Sequence, residues 1–219
     1  MERAKTQPPY GSWATLIWGA LALLAPPPIA ALCYYYFLQG DPALSEPMLM
    51  LAKIGSVVVV ACALRLKGWD ILDYLRLTVP LPREILLAIA VAIAFVVLQF
   101  IIATLTGHRF TALVPDYVPM SFVLSILVIG PLHEEIVHRG FMYPGLARSA
   151  IEPWGAVVLL AILFAVQHDA RPFSHFASGL LYGWLRWYTG SVTTPILAHA
   201  VINAGFLIIT LQGYGWIGY

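Results

Sequence analysis

The chain is poor in charged residues. Only 11% of its 219 residues are Asp, Glu, Lys or Arg, whereas about 25% is usual for a soluble domain. Its lysines and arginines are dispersed and its formal net charge is +1, so it has no basic patch of the kind that nucleic acid requires. These shortages exclude an ordinary soluble domain and a nucleic-acid partner.

Cysteine is also scarce. Cys33 and Cys62 are the two cysteines, both lie in apolar runs, and neither has a His or a second Cys at a metal-ligand spacing. Two thiols placed in this way do not form a disulfide framework. We therefore predict that both are packed or lipid-facing thiols.

Long apolar runs are abundant. The chain is 60% hydrophobic with a mean hydropathy of +0.82, and a spanning helix needs ~20 mostly apolar residues. We predict an all-α, multi-pass transmembrane bundle of about seven spans, with six to eight as the range. Residues 1–12 are predicted to be a cytoplasmic tail and 13–219 a single transmembrane domain. The predicted spans are 13–38, 47–64, 84–106, 118–132, 154–167, 176–188 and 192–211.

Lysines and arginines fall unevenly on the two sides of this bundle. If the N-terminus is cytoplasmic, eight lie on the inner side and three on the outer, leaving out Arg139 because we predict it to lie within the membrane. Cytoplasmic loops carry the excess of Lys and Arg, so we predict a cytoplasmic N-terminus. The inner set is Arg3, Lys5, Arg65, Lys67, Arg76, Arg83, Arg148 and Arg186, and the outer set is Lys53, Arg109 and Arg171.

Two proline-containing segments interrupt the apolar runs. Residues 26–28 are three successive prolines in the first span, and Gly130-Pro131 lies in the fourth. Proline lacks an amide hydrogen and clashes with the preceding turn, so we expect a kink or a break at each place. The second one comes immediately before a group of polar residues.

That polar group is the strongest functional signal in the chain. A charged side chain at bilayer depth costs at least ~2.5–3.5 kcal/mol, so several together need strong compensation. We therefore look for function here. The group consists of His133, Glu134, Glu135, His138 and Arg139.

The two adjacent glutamates are expected to have different partners. On an α-helix, residues four apart share a face and adjacent residues point ~100° apart. Glu135 therefore faces Arg139 and is predicted to be a supporting, ion-paired residue, whereas Glu134 has no such partner and is the candidate general base. The alternative is that the whole group is a buried ion-pair network that fixes the span to its neighbours.

A zinc-protease helix is a second alternative for the same residues. That motif needs two His four residues apart on one helix face. His133 and His138 are five apart, which places them ~140° apart around the axis. The spacing excludes this motif.

Polar residues in later spans can complete a hydrolytic site. His168 ends the fifth span, and His199 and Asn203 lie one turn apart in the seventh. With Glu134 they supply a base, a second group that positions water, and two groups that can hold a developing oxyanion. This set is typical of peptide-bond hydrolysis by an activated water.

Three motifs in this order resemble the CAAX-protease and bacteriocin-processing family of intramembrane glutamic endopeptidases. The family pattern is Glu-Glu-x-x-x-Arg, Phe-x-x-x-His and His-x-x-x-Asn. Here it reads EEIVHR from Glu134 to Arg139, FAVQH from Phe164 to His168 and HAVIN from His199 to Asn203. The resemblance covers roughly 118–211 and does not extend to the first ~110 residues.

The resemblance implies a role for each matching residue. Glu134 and His168 would activate water, His199 and Asn203 would stabilise the oxyanion, and Glu135 and Arg139 would support them. It also implies a peptide or membrane-protein substrate and a place in the plasma (inner) membrane of a prokaryote. Both metal-dependent and metal-free chemistry are discussed for the family. We favour metal-free chemistry, because Asn is a poor zinc ligand.

Other functions are weaker alternatives. A rhomboid-like serine protease would use Ser178 and His199, but only twenty residues separate them, which leaves no room for the additional span of that family. A membrane immunity protein or peptide-binding scaffold could use the same cavity without cutting. A transporter would show duplicated halves or paired broken helices, and the sequence has neither.

Overall fold

A computed structural model of the chain describes residues 8–41, 44–106, 118–149, 151–168 and 172–214. These residues form helices joined by short turns, and none of them forms a β-strand. The predicted all-α multi-pass bundle is confirmed. The helices are α1 (Ser12–Tyr36), α2 (Ser45–Leu66), α3 (Ile71–Leu75), α4 (Pro82–Thr106), α5 (Met120–Ala147), α6 (Glu152–Val166), α7 (Pro172–Thr189) and α8 (Thr193–Ile209).

Every predicted span overlaps one of these helices. Within the described residues, five are long and apolar enough to cross a membrane, namely α1, α2, α4, α5 and α8. Helix α6 is apolar but has only 15 residues. Helix α7 has 18 residues and is more polar, because it carries His175, Ser178 and Arg186. Long apolar segments form helices in a membrane because only a helix satisfies its own backbone polar groups.

The first predicted break lies at the three prolines. Helix α1 consists of two segments, Ser12–Leu24 and Pro26–Tyr36, which meet at Ala25. Pro26 can begin the second segment because the first turn of a helix does not use its amide hydrogens.

Helix α5 is the centre of the bundle. It contacts α1, α2, α3, α6, α7 and α8, and every residue from Glu135 to Tyr143 is buried. One apolar cluster joins α5 to α1, α2 and α6. A second cluster joins α4, α7 and α8 around Phe164 of α6. The polar residues of α5 therefore lie in the interior, enclosed by other helices.

Candidate active site

Two π-helical segments of α5 flank the adjacent glutamates. They are Ser125–Ile129 and Ile136–Met142. The amide of Gly130 donates to the carbonyl of Ser125, five residues earlier, and Pro131 has no amide hydrogen to offer. The helix therefore continues through the expected kink as a wider turn. Such π segments are frequent at functional sites. The first segment, Ser125–Ile129, sets the direction of the glutamates that follow it.

Glu135 and Arg139 form the ion pair that their spacing predicted. Arg139 Nη1 lies 3.3 Å from Glu135 Oε1, and neither side chain is exposed at all. Arg139 Nη2 also donates to the carbonyl of Gly179 at 2.9 Å. Its guanidinium lies over the rings of Phe164 and Tyr182, at 5.0 and 5.4 Å. The buried charge is thus compensated by contacts from three helices, which is what a desolvated charge requires.

His199 connects the two glutamates. Its Nδ1–H donates to Glu135 Oε1 at 2.9 Å, since a carboxylate can only accept. Its Nε2 lies 3.8 Å from Glu134 Oε2. The imidazole stacks on Tyr182, with ring centroids 4.6 Å apart and planes 15° apart. The hydrogen bond and the stacking together fix both the tautomer and the orientation of the ring.

His168 approaches Glu134 from α6. Its Nδ1–H donates to the carbonyl of Phe164 at 2.7 Å, so its Nε2 faces Glu134 Oε2 at 4.0 Å. The ring also stacks on His175 at 4.2 Å. The two distances from Oε2 to imidazole nitrogens, 3.8 and 4.0 Å, are too long for direct hydrogen bonds and fit a shared water molecule.

Asn203 lies one turn after His199 on α8. Its Nδ2 donates to the carbonyl of Ile126 at 2.8 Å, which ties α8 to the first π segment of α5. Both residues line a cavity of about 70 Å³, enough for a few water molecules. The four residues predicted to be catalytic all line it. The wall is formed mainly by Lys53, Ile126, Gly130, Glu134, Phe164, His168, His175, Ser178, Tyr182, His199 and Asn203.

Lys53 is placed wrongly by the charge count, which assigned it to the outer side of the membrane. In the structure it lies inside α2, donates from Nζ to Ser125 Oγ at 3.1 Å and lines the cavity. A lone lysine within an apolar span is by default a functional candidate. That signal was present in the sequence. Without Lys53 the outer set has two members, so the charge asymmetry behind the predicted orientation becomes larger.

Phe164 and Tyr182 are further site residues that the sequence analysis did not single out. Phe164 is 1% exposed and contacts the rings of His138, His168 and His199. Its place in the Phe-x-x-x-His motif was the available signal. Tyr182, also 1% exposed, had no distinctive signal, since aromatic residues are common in apolar helices.

His138 does not line this cavity, whereas Ser178 does. His138 is completely buried, its Nδ1–H donates to the carbonyl of Glu134 at 2.9 Å, and its Nε2 accepts from Gln167 at 3.2 Å. Ser178 donates its hydroxyl to the carbonyl of His175 at 3.1 Å. These bonds favour a structural role for His138 and weigh against Ser178 as a nucleophile.

The distances around Glu134 differ from those between the ligands of a zinc ion. Two ligands of one tetrahedral zinc ion, each ~2.0–2.1 Å from it, lie about 3.3 Å apart. Both imidazole nitrogens are farther than this from Glu134 Oε2. Within the described part of the chain, no group of three or more His, Cys, Asp or Glu side chains is arranged to hold a metal ion.

The fold and the cavity define a class: a helical integral membrane protein with a buried Glu–His site. Residues 116–205 match the model of the type II CAAX prenyl endopeptidase Rce1-like family. All three motifs lie within the matched residues, so the resemblance predicted from them is confirmed. The match indicates an intramembrane endopeptidase. No curated protein and no solved structure matches the chain.

Proposed function

We propose that this protein hydrolyses peptide bonds with a water molecule activated by Glu134 and His168. The observation that carries the proposal is the approach of two imidazole Nε2 atoms to Glu134 Oε2, at 3.8 and 4.0 Å. These distances fit a water molecule that bridges Glu134 to the imidazoles, and the side chain of Glu134 is only 17% exposed. A carboxylate within reach of a water held in this way can act as its general base.

The proposed reaction needs one proton carrier. Glu134 takes a proton from water as the oxygen attacks the carbonyl carbon of the substrate. It returns that proton to the amide nitrogen as the carbon–nitrogen bond breaks, so that an acid and an amine are released. His168 orients the water through Nε2, because its Nδ1–H is held by the carbonyl of Phe164.

We propose that His199 and Asn203 stabilise the oxyanion of the tetrahedral intermediate. Nδ1–H of His199 is bonded to Glu135, so the imidazole must be protonated to donate from Nε2 as well. Asn203 lines the same cavity and supplies an amide donor. Preorganised donors of this kind commonly contribute more than any other single effect to catalysis.

Glu134→Gln is the direct test of the proposed base. The amide keeps the size of the side chain but cannot accept a proton, so we expect cleavage to fall by at least about 10²-fold. Purified protein in detergent is incubated with a broad peptide library, and new termini are identified by mass spectrometry.

The matched control for this variant is Glu152→Gln, at an exposed position of α6. It should cleave like the wild type, and both variants should unfold at wild-type temperatures. Undiminished cleavage by Glu134→Gln would remove Glu134 from the role of base. A wild-type protein that binds peptides but leaves every one intact would instead be the peptide-binding scaffold.

We further propose that the reaction needs no metal ion. The site geometry supports this, because the histidines and Glu134 are not placed as ligands of one ion. Prolonged dialysis against a divalent-metal chelator should leave the rate unchanged within about twofold, whereas a zinc enzyme would lose its nucleophile. If activity disappears and returns when Zn²⁺ is added, the metal-free mechanism is wrong.

A further inference from the structure

A second cavity lies at the other end of α7 from the candidate active site. Its volume is about 480 Å³, which is within the range of ligand-binding cavities. His175 lies near the first site and Arg186 at the second, roughly 16 Å further along the helix at 1.5 Å per residue. The main wall residues of this basic cavity are Arg76, Thr78, Tyr143, Arg148, Arg186 and Thr189.

The cavity concentrates positive charge. Its wall includes three arginines, and the described residues that line it include no Asp or Glu. Arg76 and Arg186 lie close enough to repel each other. Burial raises the pKa of the neighbouring Tyr74 hydroxyl, and the charges of Arg148 and Arg186 oppose that rise. An anion in the cavity would offset the repulsion between Arg76 and Arg186.

Arg186 is the buried member of the group. It is 7% exposed, its Nε donates to the carbonyl of Arg139 at 3.1 Å, and its guanidinium lies over the Tyr143 ring at 5.5 Å. Among the described residues, its Nη1 and Nη2 have no hydrogen-bond acceptor. A buried guanidinium fixed through Nε presents its other two nitrogens as a fork, the geometry that binds two oxygens of one phosphate.

The walls of the basic cavity are held in place by hydrogen bonds. The carbonyl of Arg76 accepts from the amide of Val192 at 3.2 Å and from Ser191 Oγ at 3.3 Å. Thr78 Oγ1 donates to Ser191 Oγ at 3.0 Å. These bonds fasten the segment after α3 to the turn between α7 and α8, so the backbone at Arg76 is held beside the end of α7.

The cavity lies at one end of the bundle. Its arginines come from the segment after α3, the end of α5 and the end of α7. The positive-inside rule assigns all three to the cytoplasmic side. Basic pockets between transmembrane helices on that side are where anionic lipid headgroups bind.

We propose that the basic cavity binds a phosphate group carried either by an anionic phospholipid headgroup or by a soluble phosphate. Arg186 is the buried anchor, and Arg76 and Arg148 close around the anion. Arg186 also donates a hydrogen bond to the carbonyl of Arg139 on α5. A ligand bound to Arg186 would therefore also stabilise the helix that carries the two glutamates. The proposal does not depend on the proposed hydrolysis.

Ligand-dependent thermal unfolding of the full-length protein in neutral detergent tests this. Phosphatidylglycerol at about 100 times its Kd should raise the unfolding temperature by ~5 °C or more, and phosphatidylcholine should not. A parallel measurement with sodium phosphate identifies the source of the phosphate group. If sodium phosphate raises the unfolding temperature by a similar amount, the cavity binds soluble phosphates. If it does not, the cavity binds lipid headgroups. The proposal is wrong if neither phosphatidylglycerol nor phosphate stabilises the protein more than phosphatidylcholine does.

Two matched double variants localise the binding. Arg76→Gln/Arg148→Gln removes two charges from the cavity and should weaken binding of the stabilising ligand about tenfold or more. Arg65→Gln/Arg83→Gln removes the same charge from exposed positions on the same predicted side and should bind like the wild type. An equal loss in both pairs would show a general charge effect and overturn the proposal. If the first pair does not fold, Arg148→Gln is compared with Arg65→Gln in the same way.

Discussion

Glu134 and Glu135 show how two identical neighbours acquire different environments. Glu135 is completely buried and contacts both Arg139 and His199. The Glu134 side chain is 17% exposed and faces two imidazoles across a gap. The ~100° step between adjacent helical residues is the cause, because it points one carboxylate into the packed interior and the other into the cavity.

Arg139→Met should destabilise the protein strongly. The change leaves Glu135 buried without its cation, and breaking a buried pair in this way costs ~3–5 kcal/mol. The measurement is thermal or denaturant unfolding of the purified protein in detergent. Arg65→Met, at an exposed arginine, is the control and should stay within about 0.5 kcal/mol of the wild type. Equal stability of the two variants would show that the ion pair between Glu135 and Arg139 does not contribute to the free energy of unfolding.

At the scale of elements, close contact between α6 and α7 holds the site together. A Cβ added to Gly179 would lie 2.9 Å from the Cα of Ala161, so the two backbones can approach only because residue 179 is glycine. The carbonyl of Gly179 also accepts the hydrogen bond from Arg139. Small residues at such crossings are typical of membrane helices.

Gly179→Ala should therefore separate α6 from α7. We expect a loss of about 1–3 kcal/mol of stability from overpacking and a lower kcat, since His168 lies at the end of α6 and moves with it. Unfolding and peptide cleavage are measured on the same preparation. Ala90→Val, at an exposed position of α4, adds volume without a close neighbouring helix and should change neither. A Gly179→Ala protein with wild-type stability would contradict the close packing.

At the scale of the whole molecule, the orientation in the membrane remains a prediction. We propose a cytoplasmic N-terminus in a prokaryotic plasma membrane, so the turn after α1 faces outward and the segment before α4 faces inward. In a background with Cys33→Ser and Cys62→Ser, Gln39→Cys should react with an impermeant maleimide in intact cells. Arg83→Cys should react only after the cells are opened. The reverse pattern would invert the topology and move the basic cavity to the outer side.

Much of the fold was predictable because it depends on local properties. Apolar length sets the helices, and the three prolines set the break at Ala25. The spacing of four residues sets the pair between Glu135 and Arg139. Lys53 shows the limit, because a count of charges by position could not tell a residue outside the membrane from one turned inward against Ser125.

The sequence by itself determined the class of the molecule, its helices and the motifs of its candidate site. Composition, periodicity and the order of motifs are properties of the linear sequence and need no contacts between distant segments. Only the tertiary structure decided which side chains meet. It brought His168 and His199 to one oxygen of Glu134, placed Phe164 among the histidines and gathered three distant arginines around one cavity. Contacts between distant segments depend on how whole helices pack, and a spacing within one helix carries no information about that.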